Sequence, residues 1–390
     1  MPVNLEERLQ ACMEQAIGQQ EAAGLSLLVW QNGKELCCLQ AGMADREAGL
    51  PVRRDSIFRL YSQSKPVTAA AAMLLVERGV IDLMDGVERY LPGFRHPRAF
   101  AEDGTVRDLP RAPWISELLS MTSGLCYPDA DPAGQAAARV FEAQEAAQAA
   151  GAGMDTVTFC NRLGEQPLAF APGSHWRYGT SADVLAAVVE VASGKRFGDF
   201  LREELLEPLG MRDTAFWVPA EKRDRLVTAY SRGEEGLKPY EVRHLAVGRY
   251  DAPPAFESGG AGLVSTLDDY MAFAQMLMAG GVYRGRRILS EATVRHMTSP
   301  QLPAHLQRDM WDNLGGYSYG HLMRMCDAPG AACHLAERGE YGWDGWLGTY
   351  FINLPASGIS FLMFQNTKDA GTTAVVRKCR NILAARPGAV

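Results

Sequence analysis

Strand signals lie at both ends of this chain, with helical periodicity between them, and that arrangement restricts the fold more than any other feature. Near the start, "LSLLVWQNGKELCCLQAG" alternates about Asn32-Gly33, a pair favoured in two-residue hairpins because both positions tolerate positive φ. Near the end, "LGTYFINLP" and "ISFLMFQNT" flank a short Ala-Ser-Gly turn. The stretch from about Ser62 to Arg249 reads as mainly helical. One helix runs to Gly79, and an Ala/Gln-rich helix follows the cap and first-turn proline Asp131-Pro132. A third, "SADVLAAVVEVASG", ends at Gly194, and "TTAVVRKCRNILAA" forms a last helix near the C-terminus. Strands that far apart in sequence can bury a common face only by joining one sheet. The expectation is an α+β fold. An antiparallel sheet built from both termini and flanked by helices would comprise residues 1–61 and 250–390. A mainly helical lobe, 62–249, would be inserted in it.

The length of 390 residues exceeds one ordinary domain and agrees with two lobes. A formal charge of −7 argues against nucleic acid or an anionic membrane as partner. No run approaches the roughly 18 apolar residues of a membrane span. The first residues form an amphipathic pattern rather than a signal peptide: Asn4 with Glu7 fits a capping box, and Leu5, Leu9, Met13 and Ile17 share a face. The eight cysteines are scattered, with no C-x-x-C pair, as expected of reduced thiols. Together with the initial Met, these features lead to a cytoplasmic expectation. The seven histidines lack metal-ligand spacing, so neither metal nor cofactor is expected. No feature of the sequence fixes an oligomeric state.

Chemistry concentrates in "FRLYSQSKPVTAAAAMLLVERG", residues 58–79. Ser62 and Lys65 stand three apart and share a helical face, whereas Ser64 and Lys65 would point apart. A helix beginning at Ser62 would bring free amides and a positive dipole end to that hydroxyl. Serine becomes a nucleophile once a base takes its proton, and a buried lysine can do so. Lowering a lysine pKa to about 7–8 costs roughly 3–5 kcal/mol, which a surface helix has no reason to bear. S-x-x-K also arises about once by chance in a chain of this size, so context must support it. Two further segments supply context. In "HWRYGTSADVLAAVVEVASG", Tyr178 precedes a helix whose cap is expected at Thr180, with Asp183 three residues on. A phenol there could relay a proton, although a core tyrosine at a helix start is the commoner case. In "YGWDGWLGTYFINLP", Gly342 and Gly345 permit close backbone approach beside a strand. The amide of Trp346 could then join that of Ser62 as an oxyanion hole. The alternative is a plain turn with Trp343 and Trp346 in the core.

Taken in order, "FRLYSQSKPVTAAAAMLLVERGVIDLMDGVERYLPGF", "LLSMTSGL", "RYGTSADVL", "EPLGMRDT", "GGAGLVSTLDDYMAFAQML" and "YGWDGWLGTYF" resemble the serine β-lactamase-like superfamily. That superfamily holds class C β-lactamases, D-Ala-D-Ala carboxypeptidases and family VIII esterases, and the likeness runs from about residue 25 to 365. The resemblance implies a cleft between an α/β lobe and a helical lobe. It implies Ser62 as nucleophile, Lys65 as general base and Tyr178 as the tyrosine of the Y-x-N element. Trp343-Asp344-Gly345 falls in the K-T-G or H-x-G slot. Two departures bear on substrate. Thr180 replaces an asparagine that contacts the substrate amide. Trp343 replaces a Lys or His that holds a carboxylate, while Asp344 adds negative charge. A carboxylate-bearing substrate would lose an ion pair unless Arg177 compensates, and a neutral ester would lose nothing. The tryptophans would offer apolar surface, so Thr180, Trp343, Asp344 and Gly345 are the expected substrate contacts.

The expected function is therefore a serine hydrolase of small neutral esters working through an acyl-enzyme. The rivals are a β-lactamase, D-amino-acid peptidase, amidase or acyltransferase of the same superfamily, and a non-catalytic binding relative. "GYSYG", residues 316–320, matches the G-x-S-x-G elbow but is followed by strand and loop rather than helix, which argues against Ser318. "ESGGAGLVST", residues 257–266, lacks the strand-to-helix context of a phosphate loop.

Overall fold

The computed structural model describes residues 4–386. Eight antiparallel strands form the main sheet. From the N-terminal part come β1 (Gly24–Gln31), β2 (Lys34–Asp45) and β3 (Leu50–Pro51). From the C-terminal part come β4 (Tyr317–Tyr319), β5 (Arg324–Cys326), β6 (Tyr341–Asp344), β7 (Tyr350–Leu354) and β8 (Ile359–Phe364). Their order is β4-β5-β6-β7-β8-β1-β2-β3, so the two ends of the chain meet where β1 pairs with β8, Leu28 opposite Leu362. Asn32 and Gly33 adopt φ of 50° and 75°, as the hairpin requires.

Alternation along β1 explains how helices cover both faces. Leu25, Leu27 and Val29 point into a core shared with α1 (Leu5–Gly18) and the C-terminal helix α8 (Ala374–Ala384), through Leu9, Met13, Val376 and Leu383. Leu28 points the other way, into a larger core with Phe351, Leu362 and Phe364. On that face α7 (Leu267–Met278) brings Tyr270 and Phe273 against the sheet. The same core continues into the helices of the middle of the chain: α2 (Lys65–Glu77), α3 (Ile115–Leu119), α4 (Pro132–Ala149), α5 (Thr156–Gly164) and α6 (Ser181–Ser193). α2 packs on α6, and its Ala69–Ala72 run is fully buried, small side chains that allow close approach. Asp131 caps α4 by accepting from the N–H groups of Ala133 and Gly134. The middle segment is not purely helical, since a small hairpin pairs Tyr230–Gly233 with Gly236–Pro239.

Candidate active site

The S-x-x-K segment departs from the expected local structure in one respect. The α-helix begins at Lys65, and Ser62 sits in a preceding 3₁₀ turn, Tyr61–Ser64. Tyr61 has φ +47°, a left-handed conformation costing a non-glycine residue on the order of 1–2 kcal/mol. The surroundings hold it there. The Leu60 carbonyl accepts from Thr349 Oγ1 at 3.0 Å, and the Tyr61 ring packs against Trp346, centroids 5.1 Å apart. Within the turn Tyr61, Gln63 and Ser64 are buried, leaving Ser62 as the partly exposed member.

Lys65 is fully buried, and its Nζ lies 3.1 Å from Ser62 Oγ, 2.9 Å from the Tyr127 hydroxyl and 2.8 Å from the Gly260 carbonyl oxygen. Burial lowers its pKa to about 7, against the opposing charges of Asp183 and Asp344. A neutral amine with a lone pair near Ser62 is thus accessible at ordinary pH. Tyr178 lies beside this pair, with Lys65 Nζ 4.6 Å from its ring centroid. Burial raises the phenol pKa well above its usual value, partly offset by Ser62 and by Trp343. Burial does the same to Tyr127. Both phenols are therefore neutral near pH 7, and the amine is the strongest base in the cluster.

The opposite wall comes from the end of β6. Gly345 admits no side chain, because a Cβ there would stand 2.1 Å from the Leu60 carbonyl oxygen. This close approach sets β6 against the Ser62 turn. Among the described residues neither the Ser62 nor the Trp346 amide N–H donates to a protein acceptor, as an oxyanion hole requires. A cavity of about 460 Å³ opens over these groups, bordered by Ser62, Tyr178, Trp311, Asp344 and Trp346. Its aromatic lining includes Trp311, 47% exposed, and the half-buried Trp346, which stacks on His244 at 4.1 Å.

Several expected substrate contacts are corrected by this geometry. Thr180 has no exposed surface. Its hydroxyl donates weakly to the Cys126 carbonyl at 3.5 Å instead of capping α6, so it does not face substrate. Asp183, the expected capping-box partner, turns inward. Trp343 is 1% exposed and donates its indole N–H to the Tyr178 oxygen at 3.0 Å, so it supports the tyrosine rather than lining the cleft broadly. Asp344 does not present a free negative charge, because the buried Arg324 guanidinium donates to its Oδ2 at 3.2 Å and Thr372 also hydrogen-bonds it. Arg177 is held by Asp129 and Asp131 and does not supply a cation to the cleft. Ser318 is fully buried within β4, not on a strand-to-helix turn.

Tyr127 and Arg324 are site residues that sequence reasoning missed. Tyr127 follows "LLSMTSGL" with no spacing that ties it to Lys65. Arg324 carried a signal: a charged residue in an apolar strand, "HLMRMCD", needs a buried partner. The eight cysteines are unpaired, and among the described residues no group of His, Cys, Asp and Glu could hold a metal ion.

An antiparallel sheet joined from both ends of the chain, with a serine in the turn beside it and a buried lysine at the start of the next helix, defines a protein of the serine β-lactamase-like class. The chain belongs to the Beta-lactamase family, which it matches over residues 9–385. It is 32% identical to the esterase EstB of Burkholderia gladioli over 94% of this chain and 92% of that one. Its fold superposes on EstCE1, described as a hydrolase with promiscuous acyltransferase activity, with a TM-score of 0.82 at 28% identity, covering 97% and 98% of the two chains. Simvastatin synthase from Aspergillus terreus shares the fold, at a TM-score of 0.77 and 21% identity over 97% of each chain.

Proposed function

We propose that this protein is a serine hydrolase of small, neutral carboxylic esters, working through an acyl-enzyme. The observation that carries the reading is Lys65: fully buried, 3.1 Å from Ser62 Oγ, with its pKa lowered to about 7. Lys65 takes the Ser62 proton as the hydroxyl attacks the ester carbonyl. The amides of Ser62 and Trp346 receive the oxyanion, and Tyr178 passes the proton to the leaving alcohol. Water then releases the acid by the reverse sequence. The similarity to EstB supports an ester as substrate. Trp343 in place of a cation supports a neutral one, and the pairing of Asp344 with Arg324 offsets the negative charge that position adds. Acyl transfer to an alcohol is the second reading, favoured by the likeness to EstCE1.

Residues 1–61 with 250–390, against 62–249, form the two-part division we propose around the cleft. We also place the protein in the cytoplasm, on its unpaired cysteines. No helix among the described residues is long and apolar enough to cross a membrane. Steady-state kinetics on p-nitrophenyl esters, nitrocefin and D-alanyl peptides test the substrate class. Esters should lead in kcat/KM by orders of magnitude, and parity of nitrocefin with p-nitrophenyl acetate would replace this reading with a β-lactamase.

A further inference from the structure

The Lys65 amine is oriented by a carbonyl, and that carbonyl is itself held by a buried carboxylate on another helix. A neutral amine has two hydrogens and one lone pair. The Gly260 oxygen, 2.8 Å from Nζ, can only accept, so it fixes one N–H. With the second N–H directed to Tyr127 at 2.9 Å, the lone pair is left facing Ser62.

Asp183, on α6 and 2% exposed, holds the segment that carries this carbonyl. Its Oδ1 accepts from Ser258 Oγ at 2.5 Å and from the Gly260 N–H at 3.0 Å. Ser258 Oγ in turn accepts from the Ala261 N–H at 3.0 Å. Thr68, one turn beyond Lys65 on α2, donates to the Gly259 carbonyl at 2.7 Å. The fit is close at position 260, where a Cβ would stand 2.9 Å from Asp183 Oδ2 and would have to displace the carboxylate. Burial raises the Asp183 pKa, opposed by the hydrogen bond from Ser258, by the positive charge of Lys65, which the carboxylate meets through space, and by the Gly260 N–H.

We propose that Asp183 is the positioning residue of the proton transfer: through Ser258 and Gly260 it aims the Lys65 lone pair at Ser62, and as a buried anion it supports the ammonium formed when Ser62 gives up its proton. The inference rests on the Ser62–Lys65 reading above. The step moves one proton from Ser62 Oγ to Lys65 Nζ as the oxygen–carbonyl bond forms, and Asp183 exchanges no proton in it. Other titratable groups facing the pair are Tyr127, Tyr178 and His244, Cys160 on α5, and Asp344 on β6, whose charge is balanced by Arg324.

The test compares pH profiles of kcat/KM for a p-nitrophenyl ester in wild type, Asp183→Asn and Ser258→Ala. Asp183→Asn keeps the acceptor oxygen and removes the charge. Its acid limb should move down by roughly one pH unit, the effect of losing a nearby opposite charge, with kcat reduced and KM little changed. An acid limb that stays in place overturns the proposal. Ser258→Ala keeps the charge and cuts the hydroxyl link, so kcat should fall about tenfold or more with the limb unmoved. If Asp183→Asn does not fold, an undiminished kcat in Ser258→Ala overturns the proposal alone. Labelling of wild-type Ser62 by a serine-directed phosphonate separates the two levels: without it the nucleophile reading fails, and with it a null result counts only against Asp183.

Discussion

The indole N–H of Trp343 donates to the phenol oxygen of Tyr178 at 3.0 Å. This chain thus carries, at position 343, a neutral donor already engaged within the site rather than a cation free to meet a substrate carboxylate. The Trp343 ring is fixed by Tyr319, edge-on at 5.2 Å, so the phenol rests on a rigid support. Trp343→Phe keeps most of that packing and deletes the donor. We expect kcat to fall about tenfold with KM little changed, and stability to fall by about 1 kcal/mol. Steady-state kinetics with urea unfolding check this, and a change confined to KM would mean that Trp343 meets substrate directly.

Lys65 must be neutral to accept the Ser62 proton. With its pKa near 7, kcat/KM should rise as pH increases through about 7 and then level off. Lys65→Arg keeps the charge but cannot deprotonate, and should lose at least about a hundredfold. A flat profile from pH 5.5 to 8.5, or a near-normal arginine variant, would leave Lys65 with an electrostatic role only.

The same burial has a thermodynamic signature. Unfolded Lys65 keeps its proton to about pH 10.4, whereas folded Lys65 releases it near 7. Between those values the unfolded state binds more protons, so wild-type stability rises with pH; below 7 the full cost of the buried group is present. Lys65→Met removes that cost. Its stability relative to wild type should be more favourable at pH 6 than at pH 9, by on the order of 2–3 kcal/mol. Urea unfolding at both values measures the difference, and none is expected if Lys65 is ordinary.

Much of this fold was legible because its signals are local. Asn32-Gly33 specifies its hairpin through φ preference, Asp131-Pro132 starts its helix by a cap, and strand patterns at both ends of the chain need one another's edges. Ser62, Lys65 and Tyr178 were legible from spacing and resemblance, and the structure brings them together. Thr180 and Asp183 misled because a capping pattern encodes only local hydrogen bonds. Packing of α6 against the 257–261 segment drew Asp183 inward, where a carboxylate gains three-dimensional partners that no spacing displays. Asp344 misled for the same reason. Its partner, Arg324, comes from a neighbouring strand 20 residues earlier, and only the sheet order unites them.

That pairing predicts a consequence opposite to relieved repulsion. Asp344→Asn leaves the Arg324 guanidinium buried, 4% exposed, without its counter-ion. We expect a loss of about 3 kcal/mol or more in stability and no gain in nitrocefin hydrolysis. Thermal unfolding together with nitrocefin kinetics decides. A stable variant that hydrolyses nitrocefin faster would restore Asp344 as a substrate-facing charge.

Acid-quench mass spectrometry of the wild type during turnover of a p-nitrophenyl ester asks whether Ser62 carries the acyl group. The expected result is a mass increase equal to one acyl group, mapped by peptide digestion to Ser62, absent from Ser62→Ala and retained in Ser318→Ala. An acyl group that persists in Ser62→Ala, or turnover by that variant at the wild-type rate, would contradict the acyl-enzyme mechanism at Ser62.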